Sequence, residues 1–343
     1  MQYELRQQVV EPRRKTFKYL ADRYGDQPVS RYVEATVGVQ PTENFHYRPL
    51  WAPDHELYDE TYSALRLADP YSFLDPRQYY YAPYVTARAQ WHDAVGRTLR
   101  YVEDRRLFDH LPAGWRELLG GLVLPLRHYE SGAQLVCVTG ARFAYGTSIE
   151  QCLSYAAFDR IGLAQTLSRV GFALADGGDE LLGAAKESWV GEPALQGLRR
   201  LCEELLVEPD WGAAAIGLDL ADRLLYPLLY QHLDEAALRT GAGPYSLFAQ
   251  HPAGWYADHR RWLDALVGTW CADPVHGAEN RAILAGVVAA WLPRAAAAVT
   301  DFARGVERLV AAEAPEAVAA LAERAAADLA RLGVPVEPQQ VTA

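Results

Sequence analysis

Cysteine is scarce in this chain of 343 residues: Cys137, Cys152, Cys202 and Cys271 are the four, and no two form a C-x-x-C. Such spacing excludes a disulfide scaffold, argues against a zinc or iron–sulfur site and points to reduced, buried thiols. Basic charge is also short. Lys plus Arg is 33 against Asp plus Glu 44, a formal net charge of -11 with no long basic run to offset it. Nucleic-acid binding depends on neutralising phosphates with Lys and Arg, so no nucleic acid is expected as a partner. No run of about 18 apolar residues is free of charge or proline, the length a membrane span needs. The most apolar stretch, 282–298, contains Pro293 and Arg294 and leads to Asp301. The first residues carry Glu4, Arg6, Glu11, Arg13, Arg14 and Lys15 without an apolar core, which is not the pattern of a secretory signal. A soluble, cytoplasmic protein that touches no membrane is the expectation.

Catalytic signatures are missing too. There is no G-x-S-x-G and no glycine-rich phosphate loop; Gly177-Gly178, between Asp176 and Asp179, reads as a turn whose acidic flanks would repel phosphate.

What is present is unevenly spread. Of 20 tyrosines and 20 prolines, 13 and 8 fall before residue 102, whereas alanine dominates after residue 280. Between Asp26 and Pro76 six prolines forbid a long helix, yet Tyr32, Phe45, Tyr47, Trp51, Tyr58 and Tyr62 supply aromatic area that a disordered tail would lack. That composition describes an extended arm ordered by packing on its own bundle or on another subunit. From Tyr79 onward the apolar residues follow helical spacing. Leu163, Leu167, Val170 and Leu174 make one stripe of a long helix, and between Ala214 and Leu233 two adjacent stripes imply a helix enclosed by neighbours. Pro125 and Pro227 lie inside apolar helical runs and predict kinks there. Trp255, Trp262 and Trp270 follow, then a loop near 272–278. Next comes an alanine-rich helix with Phe302, Val306 and Leu309 on one face, and a last helix after Pro315 with Val318, Leu321, Ala325 and Leu332 aligned. The reading is all-α: an arm over 1–76, a helical bundle of more than four helices over 77–335 and a flexible tail over 336–343.

A bundle of this kind can hold a di-metal centre if two helices each supply a Glu and two more each supply an E-x-x-H, a step that puts both ligands on one face. The sole E-x-x-H runs from Glu43 to His46 in a proline-bracketed, non-helical stretch, and the D-x-x-H from Asp273 to His276 encloses Pro274. His128, Glu130 and Asp258-His259 lie in helical runs and read first as satisfied polar members of a core.

Several blocks, taken in order, carry a resemblance. They are Ser30-Arg31-Tyr32-Val33-Glu34-Ala35, Asn44-Phe45-His46-Tyr47-Arg48-Pro49-Leu50-Trp51, Asp75-Pro76-Arg77-Gln78-Tyr79-Tyr80-Tyr81 with Tyr84, Val85 and Arg88, Pro125-Leu126-Arg127-His128-Tyr129-Glu130, and Asp159-Arg160-Ile161-Gly162 with Gln165 and Leu167-Ser168-Arg169. Together they resemble the β subunit of the hydroxylase component of bacterial multicomponent di-iron monooxygenases, closest to the phenol hydroxylase type, with alkene monooxygenase β subunits next.

The resemblance implies a ferritin-like bundle without metal ligands, catalytic residues or a cofactor of its own. It implies a catalytic α subunit bearing the di-iron centre, sometimes a γ subunit, a second αβ protomer, a regulatory protein, and a reductase that carries flavin and an iron–sulfur centre and draws on NADH. The substrates it implies are phenol-like aromatics or short alkenes. Two stretches agree with missing ligands, since Ala133 stands where Glu130 would need a His and Arg261 where Asp258 would. The vacated centre is expected to hold carboxylates paired with Arg, or apolar filler. The arm and the start of the first long helix, Arg31, Tyr32, Phe45, His46, Tyr47, Arg48, Trp51, Tyr79, Tyr80, Tyr81 and Arg88, are the candidate subunit interface. Two rival readings are a self-sufficient metal oxidase built on Glu130, His128 and Asp258, and a stand-alone helical binding module.

Overall fold

The computed structural model describes residues 16–40 and 53–336. Two short helices, α1 (Lys18–Tyr24) and α2 (Arg31–Glu34), come first; among the described residues between α2 and the next helix, the one regular piece is a 3-10 turn at Pro70–Ser72. Long helices start at α3 (Tyr81–Asp104) and continue through α4 (Ala113–Leu118), α5 (Leu126–Phe143), α6 (Thr147–Leu174), α7 (Glu180–Gly191), α8 (Pro193–Leu206), α9 (Trp211–Pro227), α10 (Leu233–Arg239), α11 (Gly243–Ala272), α12 (Gly277–Leu309) and α13 (Ala314–Arg331). Among the described residues there is no strand.

Residues 144–146 turn α5 back on α6, so the two pack as an antiparallel hairpin. Gly146 makes the turn possible: its φ is +114°, and a Cβ there would lie 2.5 Å from the Pro70 carbonyl oxygen. The stripe Leu163, Leu167, Val170 and Leu174 is buried along α6, and the twin stripes of α9 leave nearly every residue of that helix enclosed. Both flagged prolines adjoin wide turns. A π turn at Leu119–Val123 precedes Pro125, with Leu124 N–H donating to the Leu119 carbonyl at 2.8 Å, and a second at Leu228–His232 follows Pro227. A proline removes one rung of the α ladder and excludes a carbonyl, and the wider turn re-registers the bonds around that gap.

Pro252 and Pro293 lie inside α11 and α12 without ending them. By length and composition α12 could cross a membrane, which the proline within it does not prevent. It packs instead on α8, α9 and α13 with Leu284, Val288, Leu292, Val299 and Phe302 inside the core. Trp255, Trp262 and Trp270 repeat at about two-turn intervals on α11 and are fully buried. A buried aromatic of this size contributes on the order of 2–3 kcal/mol by area.

The proline-rich stretch is fastened to its own chain wherever it is described. The Gln40 side chain donates to the Ala144 carbonyl and accepts from Gly146 N–H, closing on the α5–α6 turn. Asp210, the N-cap of α9, also accepts from Ser63 Oγ and Ala64 N–H. Asn280 brackets Arg66 through its N–H and its carbonyl, and Asp273 accepts from Ala68 N–H. These segments spend polar groups on the helix ends of their own bundle.

Candidate functional site at the bundle centre

Helices α5, α6, α9 and α11 converge on one side chain. Arg160 of α6 has no solvent exposure, and its guanidinium lies between Glu130 of α5 and Asp222 of α9. Nη1 donates to Glu130 Oε2 at 3.0 Å and to Tyr226 Oη at 3.1 Å, and Nη2 donates to Asp222 Oδ2. Two phenols take up the remaining lone pairs: Tyr226 donates to Glu130 Oε1 at 2.6 Å and Tyr129 to Asp222 Oδ1 at 2.7 Å. Trp255 of α11 lays its ring 5.1 Å from the guanidinium carbon. One cation thus serves two carboxylates, and burial pushes both Glu130 and Asp222 above the usual carboxylate range against the pull of Arg160.

One turn back along α9 the ratio inverts. Asp219 is fully buried, accepts from Arg223 Nε at 2.8 Å and pairs with Arg260 of α11, while Asp264 at the rim meets both arginines. Burial opposes its charge, yet Arg223 and Arg260 together hold it below the usual carboxylate range. A third group lies toward α3. Asp159 accepts from Arg88 at 2.7 and 2.8 Å, from Tyr84 Oη at 2.8 Å and from Trp255 Nε1 at 2.8 Å. Arg88 continues to Asp258 at 3.0 Å, and Arg77 grips Asp75 through Nε and Nη2. Trp255 therefore joins this group to the centre by its N–H and by its face.

Five buried carboxylates (Asp75, Glu130, Asp159, Asp219, Asp222) meet five guanidinium groups (Arg77, Arg88, Arg160, Arg223, Arg260), and the more exposed Asp258 and Asp264 share four of those five. His259 stacks on Trp255 with centroids 4.6 Å apart and is held neutral by burial and the surrounding arginines. The residues present do not fit a metal ion: the space between Glu130 and Asp222 belongs to Arg160. Among the described residues no three His, Cys, Asp or Glu side chains are grouped to bind one. Nucleophilic chemistry has no support either, since burial pushes the Cys137 thiol up to about 12 and the Cys152 thiol well above its ordinary value.

Residues 51–274 match the family model for methane, phenol and alkene hydroxylases. The phenol 2-monooxygenase oxygenase component DmpL of Pseudomonas sp. strain CF600 is 37% identical over 304 residues, which cover 88% of this chain and 91% of that protein. The chain belongs to the methane/phenol/alkene hydroxylase family. A second relative, the β subunit of the toluene-4-monooxygenase hydroxylase component from Ectopseudomonas mendocina, is 25% identical over 227 residues covering 65% and 68% of the two chains. Among solved structures, the xenon-pressurised phenol hydroxylase from Pseudomonas sp. OX1 superposes with a TM-score of 0.89 at 29% identity, covering 98% of this chain and 99% of that one. The ferritin-like helical bundle expected from the resemblance is the fold of this hydroxylase-family chain.

Of the candidate interface residues in this hydroxylase subunit, Phe45, His46, Tyr47, Arg48 and Trp51 lie outside the described residues. The Tyr32 ring is buried in its own chain, where its hydroxyl accepts from Asp75 N–H at 2.7 Å. Arg88 pairs with Asp159 and Asp258, and Tyr79 donates to Asp258 at 3.3 Å. Tyr80 is half-buried, whereas Arg31 and Tyr81 are exposed, Tyr81 at 74%. The ligand set Glu130, His128 and Asp258 is not brought together. Glu130 is central, His128 stands half-buried 6.2 Å from the Trp189 ring, and Asp258 belongs to the Arg77–Arg88 group. Sequence reasoning missed Asp222, Asp219 and the role of Arg160. The available signal was an acid, twice, on a helix whose neighbouring positions are apolar all round.

Proposed function

We propose that this chain is the non-catalytic β subunit of the hydroxylase component of an NADH-dependent, multicomponent di-iron monooxygenase acting in the cytoplasm on phenol-like aromatics or short alkenes. In this reading the iron and the substrate pocket belong to a catalytic α partner, and this chain supports α and the pairing of αβ protomers. A regulatory protein and a reductase with flavin and an iron–sulfur centre complete the system, with a γ subunit in some assemblies of this type.

The observation that carries the reading is Arg160. Helical bundles of this type can bind metal where four helices converge, and here that place is filled by a guanidinium between two acids. What such a bundle still offers is a surface. On α3 and α6 it exposes Tyr81, Val85, Phe158, Ile161 and Phe172, an apolar row of a kind that marks protein contacts. Arg31 and Tyr81 remain interface candidates from the sequence, and this row extends them.

Co-purification tests the assignment. Phe158→Asp with Ile161→Asp is expected to leave the thermal midpoint of this chain nearly unchanged while cutting recovery of α with a tagged copy at least tenfold, since each introduces an unpaired charge into the contact. Full recovery of α with the double variant would remove α3 and α6 as the docking face. Absence of any larger partner with the unmodified chain would overturn the subunit reading.

A further inference from the structure

A groove of about 480 Å³ lies between α7 on one side and α4 with its following π turn on the other, closed by the end of α6. Leu174 and Leu181 form its floor, and Gly120, Gly121, Ala175 and Ala184 are its sides. The two glycines are not required by their own chain. Neither has a positive φ; a Cβ on Gly121 would meet nothing within 4 Å, and one on Gly120 only Leu174 and Leu181 at 3.7 and 4.0 Å, which is ordinary van der Waals contact. Alanine fits at both positions and loses less conformational entropy on folding, so what glycine supplies is room for another backbone to come close. The edges of the groove are acidic. Glu117 stands on α4, and Glu180 and Glu187, about two turns apart, share one edge of α7. All three are exposed, and among the described residues none is paired with a cation. Arg116, which also lines the groove, donates to the Phe108 and Leu174 carbonyls at 3.2 and 2.6 Å, and Lys186 lies on the other face of α7, toward His128.

We propose that this groove takes an amphipathic helix of a partner protein, its apolar face laid on Leu174 and Leu181 and its flanking Lys or Arg side chains meeting Glu117, Glu180 and Glu187. An open apolar floor between two walls is what the anchor residues of one helix face occupy, and the bare glycine wall lets that helix sit deep. The charge of the edges sets the choice of partner. Three unpaired acids on both sides of one groove attract a basic helix and repel an acidic one, which gives selectivity and a faster encounter. A second copy of this chain is disfavoured on the same ground: its net charge is -11, and its own acidic edges would face themselves. An anionic lipid surface is refused for that reason too. The inference goes beyond the docking role given to α3 and α6 and does not rest on it, because the groove is built by this chain alone.

The test titrates the full-length chain with a fluorescein-labelled synthetic helix of about four turns, leucine on one face and lysine along both edges, and reads fluorescence anisotropy. The same peptide with glutamate for lysine is the control. The lysine peptide is expected to bind saturably and the glutamate peptide not at all. Gly121→Leu, which fills open space in the groove, should weaken binding at least tenfold while leaving the thermal midpoint unchanged or raised. Glu180→Lys with Glu187→Lys should weaken it as much, whereas the same reversal at Glu316 and Glu323, equally spaced and exposed on α13, should not. Binding by the free chain that disappears in the purified assembly also supports the proposal, since a subunit helix then holds the groove. No binding of the lysine peptide by the free chain, undiminished binding by Gly121→Leu, or equal loss with the α13 reversal would overturn it. Self-association of the free chain abolished by Gly121→Leu would give the groove to a second copy and overturn it as well. Failure here leaves the subunit assignment untouched, and failure of co-purification through α3 and α6 leaves the groove untouched.

Discussion

Asp222 and Asp219 sit three residues apart on α9, both are buried, and burial acts on them in the same direction, yet their carboxyl groups shift in opposite directions. Around Asp222 one guanidinium is shared with a second buried acid, Glu130; around Asp219 two guanidinium groups converge, and the other acid they reach, Asp264, is partly exposed. The ratio of cations to acids, rather than depth, therefore decides the sign. The comparison also separates two jobs. The Asp219 group ties α9 to α11 near the rim, where Asp264 is partly hydrated, whereas the Arg160 group holds three helices at a place that water does not reach. A side-chain cation in that place is permanent and cannot be chelated away.

The largest effect is expected from Arg160→Leu, which leaves two buried carboxylates without a counter-charge and should cost about 3–5 kcal/mol in a urea titration. Combining Arg160→Met with Glu130→Leu and Asp222→Leu should recover most of that loss, and failure to do so would mean the cluster supplies more than charge balance. Asp219→Asn is next, at about 2 kcal/mol, because Arg223 and Arg260 still reach Asp264. A penalty equal to that of Arg160→Leu would erase the distinction between rim and centre.

The pH dependence sharpens the same contrast. Asp219 has its folded pKa depressed, so its contribution is complete above the ordinary carboxylate range and is lost as pH falls through the depressed value. Glu130 and Asp222 have theirs raised, so the folded state keeps protons the unfolded chain has released, and stability declines as pH rises from the ordinary carboxylate range through the raised values. Urea midpoints measured across this range should show Asp219→Asn flattening the acid limb. Glu130→Gln, the smallest change at under about 1 kcal/mol at neutral pH, should flatten the decline, because the amide oxygen still accepts from Arg160 while the amide N–H donates to a rotated Tyr226 hydroxyl. The same slope in both variants would contradict the opposite shifts.

Much of this architecture was legible because periodicity reports burial directly. The stripes of α6 and α9 and the 273–276 join between α11 and α12 follow from local pattern; the prolines mark where the helices are irregular, but they predict a kink and not the wide turns found there. In the last helix the aligned set included Leu332, which packs half-buried against the core just past the end of α13 at Arg331, while Leu329 is fully buried. The centre was half legible. That carboxylates would pair with arginines followed from the cost of burying charge, but which arginine meets which acid depends on how α5, α6 and α9 cross, and no spacing along one helix encodes that. The own-chain contacts of Tyr32 and Arg88 were not legible for a related reason: an aromatic in a proline-rich stretch or a guanidinium on a helix looks alike in sequence whether it faces a neighbour or its own bundle.

The central claim is that the cation at the heart of this chain is Arg160 and that iron belongs to a partner. Native mass spectrometry of the assembly isolated from its own host, followed by iron counting on the separated chains, tests it most directly. The account predicts a hetero-oligomer whose iron stays with the larger partner, with none above background on this chain. Iron retained by this chain, at one ion or more per copy, would contradict it.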